Sequence, residues 1–298
     1  MTSTATTVTG ETPRRLPMAA GLPLALAVLA FALLFAKPAL LLVRDWWSDP
    51  EAGHGLLLGP AAAWLAWKRG LLPERTRNVT LGVLLLIGAV LLRLASELAA
   101  ELFVMRFSMV LALGGMVVYY LGLRQALAWW LPFTLLVLAI PLPELIRSSL
   151  ARPLQFRASE LGAGLLEWRN VPVRLSGNII QLPGHRLFVT EACSGLRSLT
   201  ALLSLALLMG GIWLRWPLLR AALLVAAVPI AVLINGVRVF LTGFLVYFVD
   251  PALGEGFMHV TEGWLLFVIS FALVGAVAFL MTFIDRWRTR RREAASHA

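Results

Sequence analysis

The chain has 298 residues, of which 59% are hydrophobic and 14% charged, and its mean hydropathy is +0.83. No water-soluble globular domain of this size has such values, so the sequence predicts an all-α, polytopic membrane protein in a lipid bilayer. The net charge of +10 does not indicate nucleic-acid binding, because the basic residues stand between apolar runs and at both ends, where they orient membrane spans.

Eight apolar windows are long enough to cross about 30 Å of hydrocarbon. They cover residues 18–43, 53–67, 80–96, 102–121, 126–141, 191–213, 217–248 and 259–284. Residues 18–284 are therefore expected to form one membrane-embedded domain, between a disordered cytoplasmic tail at 1–17 and a basic cytoplasmic tail at 285–298. Because window 217–248 is too long for one straight helix, a break is expected near Asn235 and Gly236.

Positive charge gives these windows an orientation. The basic residues that orient them lie in alternate connections and at both ends, namely Arg14, Arg15, Lys68, Arg69, Arg75, Arg77, Arg124, Arg215 and those of Arg286–Arg292. All fall on one side, which the positive-inside rule makes cytoplasmic. Both termini are thus expected in the cytoplasm, and the long connection 141–190 is expected outside.

This external connection has two parts. Residues 144–168 carry leucines at helical spacing among polar residues, which predicts an amphipathic helix at the membrane interface. Residues 171–185 alternate in polarity, with turn signals at Ser176–Asn178 and at Pro183–Gly184. That pattern predicts a small β-hairpin before the sixth window.

The chain's one cysteine, Cys193, lies where polar residues lead into the sixth window. Glu191, Ser194 and Arg197 surround it, where simple packing would select Leu, Ala or Val. On a helix Cys193 and Arg197 share one face, and a cation there favours thiolate over thiol. The alternative is that Cys193 is a small buried hydrophobic residue, as lone cysteines in apolar proteins usually are.

The predicted topology brings three groups to one external plane. Cys193 begins the sixth window and His259 begins the eighth, both on the external side. Arg238 is 21 residues beyond Pro217, and a rise of about 1.5 Å per residue brings it to the same interface. Cys193, Arg238 and His259 are the candidate catalytic residues. Snorkelling of Arg238 to the headgroups and helix capping by His259 are the alternatives.

Three segments resemble the motifs of one family. The string EACSGLRS at 191–198 resembles the cysteine motif of exosortases, multi-spanning enzymes that process proteins bearing a PEP-CTERM sorting signal. NGVRV at 235–239 resembles the arginine motif of that family, and His259 followed by EGW at 262–264 resembles its histidine motif. The motifs occur in the family's order, and the resemblance runs from about residue 45 to residue 284.

The resemblance implies a cysteine protease and transpeptidase of the bacterial inner membrane, with an archaeal relative as the other source. Its substrates would be exported proteins that end in a Pro-Glu-Pro-like motif, a transmembrane helix and a basic tail. It implies that Cys193 forms an acyl-thioester, Arg238 transfers protons and His259 stabilises the transition state. Side-chain chemistry favours the reverse roles for the last two, since a guanidinium stays charged while histidine titrates near neutrality.

Further residues are candidates for support or substrate binding. Arg197 could orient a substrate carboxylate, assist Cys193 or anchor its helix, and Asn235 could satisfy backbone groups at the expected break. His54, in a stretch at 46–55 that resembles the family's early His-Gly segment, could contact the substrate or support the site. Glu191 and Ser194 complete this group of supporting residues.

No metal or other cofactor is expected, because His54, His185 and His259 lack ligand-like spacing. Two other functions fit an apolar chain. A transporter for an anion would use Arg197, Arg238 and His259 along a path, and it would carry polar residues through the depth of the bundle. A non-catalytic scaffold for envelope assembly would tolerate loss of Cys193. For a transpeptidase, the resemblance implies an acceptor in the cell envelope.

Overall fold

The computed structural model describes residues 18–49, 51–189, 195–254 and 256–296, without the side chains of 18–21, 252, 254, 256–262 and 291–296. Within these ranges the chain forms ten α-helices and one small sheet. The helices are α1 (Met18–Ser48), α2 (Gly55–Arg69), α3 (Val79–Leu98), α4 (Leu102–Leu121), α5 (Leu123–Ala128), α6 (Trp130–Leu138), α7 (Glu144–Trp168), α8 (Leu196–Trp213), α9 (Pro217–Phe248) and α10 (Gly256–Ser296). The predicted all-α polytopic fold is confirmed.

Six of the described helices are long and apolar enough to cross a membrane, namely α1, α3, α4, α8, α9 and α10. The predicted window 53–67 corresponds to α2, whose 15 residues span only about 22 Å. Window 126–141 is divided at Trp129 into the short helices α5 and α6. The prediction of eight spans is therefore not confirmed. Instead, α2 and α6 pack against each other through Leu58, Leu65, Leu131 and Leu135.

Helices α8, α9 and α10 share one apolar core, which is built from Leu202, Ala206, Leu223, Ala227, Val274 and Ala278. At one end of these helices the carboxylate of Asp285 accepts hydrogen bonds from the backbone N–H groups of Arg215 (2.8 Å) and Trp216 (3.3 Å). This end carries the loops of the basic residues, and we call it the basic end. The opposite end carries α7 and the sheet, and we call it the sheet end.

Helix α9 runs without interruption from Pro217 to Phe248, so the expected break near Asn235 and Gly236 is wrong. Both residues are buried. A Cβ at position 236 would lie 2.7 Å from the Cβ of Leu161 on α7. The glycine therefore allows α7 to approach α9 closely, and it does not interrupt the helix.

Helix α7 has the bounds that its polarity pattern predicts. Its buried face consists mainly of small residues, including Ala158, Gly162 and Ala163, while Leu145 and Phe156 are exposed. A Cβ at Gly162 would lie 2.5 Å from Cγ1 of Val239, so this small-residue face packs directly on α9. The helix thus braces the end of α9 that carries Arg238.

The sheet extends the predicted hairpin by one strand. Strands β1 (Arg174–Ser176), β2 (Ile179–Leu182) and β3 (His185–Phe188) pair antiparallel in sequence order. Both predicted turns are present, with Gly177 at φ +63° and Gly184 at φ +77°. These positive φ values suit glycine, because it has no Cβ. The sheet packs on α7 and α9 through Ile180, Leu182 and Val189.

Candidate active site

The end of the cysteine motif contacts the arginine motif. Gly195 is buried, and a Cβ there would lie 2.7 Å from Cγ and 2.9 Å from Nδ2 of Asn235. Asn235 is itself buried in α9, with 6% of its surface exposed. The backbone of Gly195 therefore rests against the carboxamide of Asn235, and only a residue without a side chain fits between α8 and α9 at this point.

Gly195 also changes the expected start of the sixth span. Its φ of +78° is left-handed, and α8 begins at the next residue, Leu196. A left-handed residue interrupts the i, i+4 geometry of a helix. The expected placement of Cys193 and Arg197 on one helical face stays a prediction, because Cys193 lies outside the described residues. Arg197 lies in the first turn of α8, with an exposed side chain.

The arginine motif in turn contacts the histidine motif. A Cβ at position 263 would lie 3.0 Å from Nη2 and 3.1 Å from Cζ of Arg238. The half-buried side chain of Arg238 therefore crosses from α9 to α10, and its guanidinium rests on the backbone of Gly263. Because the contacting atoms belong to the guanidinium, the charged end of this side chain is held between α9 and α10.

His259 lies in α10, four residues before Gly263. Positions four apart share one face of a helix, about one turn from each other. The backbone of the histidine motif therefore contacts the guanidinium of Arg238 at Gly263, about one turn of α10 after His259. The side chain of His259 lies outside the described part of the structure, as do residues Glu191, Cys193 and Ser194.

The chain is held at Val189, directly after strand β3 and before the cysteine motif. The N–H of Val189 donates to the carbonyl of Asn178 at 2.9 Å, and Nδ2 of Asn178 donates to the carbonyl of Val189 at 3.0 Å. Val189 is 2% exposed. Val189 and Gly195, the described residues that flank Cys193 in the sequence, are thus both held by contacts with other elements.

The predicted supporting residue His54 occupies a different part of the sheet end. It lies in the turn before α2, outside the six candidate spans, and its Nε2 is 3.2 Å from the carbonyl oxygen of Leu138. Burial is the main cause that lowers the pKa of His54 from its ordinary value, so the imidazole is neutral near pH 7. His54 therefore contacts the end of α6. The indole of Trp46 contacts the same end, since its Nε1 donates to the carbonyl of Ala139 at 2.7 Å.

An ion pair connects this turn to α7. Arg147 lies 3.4 Å from the carboxylate of Glu51 and also bonds Glu144. The hydrogen bond from Arg147 to Glu144 raises the pKa of the arginine from its ordinary value, so Arg147 is charged under all ordinary conditions. The turn that holds His54 is thereby tied to the helix that braces α9.

Sequence reasoning missed the two glycines that join the motifs. Gly195 and Gly263 lie inside the quoted motifs, but their neighbours with reactive side chains were selected instead. Glycine at a helix start and in an apolar helix interior is a usable signal, because it often marks close approach of another chain segment. Within the described ranges, no three His, Cys, Asp or Glu residues are grouped as metal ligands would be.

Comparison with known proteins identifies the family. A family model described as transmembrane exosortase matches residues 46–276. Searches of curated proteins and of solved structures found no significant match. The family match spans all three motifs and both contacts that join them, and it covers most of the chain. The chain therefore belongs to the transmembrane exosortase family.

Proposed function

We propose that this protein is a membrane-embedded cysteine protease and transpeptidase that cleaves PEP-CTERM-like signals from the C-termini of exported proteins. The signal consists of a short motif, a transmembrane helix and a basic tail. Cys193 forms an acyl-thioester with the substrate, and the acyl group is then transferred to an acceptor in the cell envelope. Family membership supports this proposal, and the contacts among the three motifs carry it.

The observation that most directly supports the proposal is that the three motifs contact one another at the sheet end. Gly195 touches Asn235, and Arg238 touches Gly263. Ser194 alone separates Cys193 from Gly195 in the sequence, and consecutive Cα atoms are about 3.8 Å apart. The chain therefore cannot carry the thiol far from the Gly195–Asn235 contact. A nucleophile, a cation that can stabilise an oxyanion and a histidine that can transfer protons are together suited to acyl transfer from a peptide.

The chemistry follows from these groups. The thiolate of Cys193 attacks the carbonyl carbon of the scissile peptide, and the tetrahedral oxyanion is stabilised by the guanidinium of Arg238. The C–N bond then breaks, and His259 gives the leaving amine its proton. A nucleophilic group of the acceptor, or water, attacks the thioester and releases Cys193, with His259 taking the proton of the attacking group. Asn235 holds Gly195, and Arg197, Glu191, Ser194 and His54 are assigned to substrate binding or support.

The charge pattern supports the proposed orientation in the membrane. We place the protein in the bacterial inner membrane with both termini in the cytoplasm, since the basic loops lie at one end of the bundle. The sheet end is then external, which is where a substrate held by its own transmembrane helix would present its motif. The basic tail of such a substrate would remain at the cytoplasmic face.

Processing by cysteine variants tests the proposal. A substrate with a C-terminal signal is coexpressed with Cys193→Ala or Cys193→Ser, and loss of its C-terminal helix is followed on a gel. Both variants should abolish processing while protein amounts in the membrane stay at wild-type levels. The matched control is Ser204→Ala on α8, whose hydroxyl donates to the carbonyl of Thr200 one turn earlier. Normal processing by Cys193→Ala would refute the nucleophile assignment.

A further inference from the structure

A cavity of about 380 Å³ lies at the basic end, opposite the candidate active site. It is formed where the end of α8 meets the last turns of α10. Its lining includes Trp213, Arg215, Asp285, Arg286, Thr289 and Arg290. This volume is within the range of small-ligand sites, and three arginines converge on it.

The charge of this cavity is unbalanced. None of the ion pairs among the described residues involves Arg215, Arg286 or Arg290. The carboxylate of Asp285 is 6% exposed and already accepts hydrogen bonds from the backbone of Arg215 and Trp216. The cavity thus combines three guanidinium groups with one carboxylate whose oxygens are in use. An anion would find unused donors in this site.

The surroundings of the cavity indicate how an anion would reach it. Ile212 and Trp213 line it and are 44% and 47% exposed, and Phe283 beside Thr282 is 53% exposed. These apolar side chains lie on the bilayer side of the arginines, since they precede the arginines along α8 and α10, nearer the middle of the candidate spans. Apolar contacts on one side and arginines on the other match the two parts of a phospholipid, its acyl chains and its phosphate.

We propose that this cavity, the arginine pocket, binds the phosphate of an anionic phospholipid headgroup. The arginines contact the phosphate, and the acyl chains follow Ile212 and Phe283 along the bundle. Anionic lipids are preferred over zwitterionic ones, because three guanidinium groups exceed the one carboxylate. Since free inorganic phosphate shares the recognised chemistry, it is the second source of ligand, and the apolar rim favours the lipid. The proposal is independent of the catalytic function.

Native mass spectrometry of the full chain tests the proposal. Delipidated protein in detergent is titrated with phosphatidylglycerol or with phosphatidylcholine of the same acyl chains, and bound lipids are counted. The test variant is Arg286→Gln with Arg290→Gln. Each basic residue near a lipid surface contributes about 1 kcal/mol, so binding of phosphatidylglycerol should weaken by at least about tenfold. Binding of phosphatidylcholine should be weak and unchanged.

The matched control is Arg75→Gln with Arg124→Gln, which removes the same charge from exposed arginines of the basic end, outside the pocket. It should bind phosphatidylglycerol like the wild type. If the double variant does not fold, as judged by size-exclusion chromatography, Arg290→Gln alone serves. If excess inorganic phosphate displaces the lipid, the pocket recognises the phosphate group from either source. If the lipid resists displacement, the pocket is specific for the lipid. Equal phosphatidylglycerol binding by pocket variant and wild type would overturn the proposal.

Discussion

The guanidinium of Arg238 rests on the backbone of Gly263, where an added Cβ would lie 3.0 Å from Nη2. This contact joins α9 to α10 through the charged head of the arginine. A side chain that anchors a helix to lipid headgroups would extend into solvent or lipid instead. The position of the guanidinium therefore depends on the absence of a side chain at residue 263, which gives a test that leaves Arg238 unchanged.

Gly263→Ala should lower processing without lowering stability. The new methyl displaces the guanidinium by a few tenths of an ångström, and since a misplacement of about 1 Å costs about a hundredfold in rate, we expect a loss of up to about tenfold. Alanine inside a helix gains up to about 1 kcal/mol over glycine, which offsets the contact. Gly275→Ala is the control on the same helix, because its nearest neighbour, Cε of Met209, is 4.0 Å away. Equal processing by both variants would contradict a role for the contact.

Gly195→Ala should destabilise the protein more than Gly184→Ala does. Both glycines are left-handed, with φ values of +78° and +77°, so each alanine costs about 1–2 kcal/mol in backbone strain. At Gly184 nothing lies within 4 Å, whereas at Gly195 the methyl overlaps the carboxamide of Asn235. Denaturant unfolding in detergent measures both free energies. An equal loss for the two variants would mean that Asn235 moves aside freely.

The sequence predicted the helical fold and the bounds of α4, α7 and α9, because apolar windows and polarity patterns are local signals. It could not predict that α9 is continuous. Asn235 and Gly236 are polar and flexible residues in an apolar run, and a helix break and a helix contact look identical in sequence. The structure distinguishes them through Leu161, which comes from a helix more than 70 residues earlier in the chain.

The candidate site was predictable as a set of motifs, but the contacts between the motifs were not. The common depth of Cys193, Arg238 and His259 stays a prediction from topology, while the contact of Gly195 with Asn235 depends on the packing of two helices. The same holds for Arg106, which is 2% exposed inside α4 and pairs with Asp45 at 2.6 Å. A charged residue in an apolar window predicts a polar or charged partner, but the sequence does not identify that partner.

Cysteine labelling tests the orientation of the bundle. In a Cys193→Ala background, His185→Cys on the sheet and Thr76→Cys in the loop after α2 are compared, since both positions are exposed. A membrane-impermeant maleimide applied to intact cells should label His185→Cys and leave Thr76→Cys unlabelled until the cells are opened. Labelling of Thr76→Cys from outside would invert the topology and move the candidate site to the cytoplasmic face.

Arg238→Lys separates a catalytic cation from a membrane anchor. Lysine keeps the positive charge and extends to headgroups equally well, but it lacks the planar fork that aims two donors at one oxygen. Loss of one well-aimed donor to an oxyanion costs about 3–4 kcal/mol, which is about 10²–10³ in rate. We therefore expect processing by Arg238→Lys to fall by that factor, measured as the rate of signal cleavage in membranes with equal amounts of enzyme.

The control for this change is Arg220→Lys, at the other end of α9. Arg220 donates from Nε to the carbonyl of Leu214 at 2.9 Å and lies over the ring of Trp130, far along the helix from Arg238. Lysine there should leave the cleavage rate within a few-fold of wild type, because the basic end takes no part in the chemistry. Near-normal cleavage by Arg238→Lys would contradict the catalytic assignment of Arg238. The oxyanion would then have to be stabilised by other donors, and the positive end of the dipole of α8, which begins at Leu196 within the cysteine motif, would favour it electrostatically.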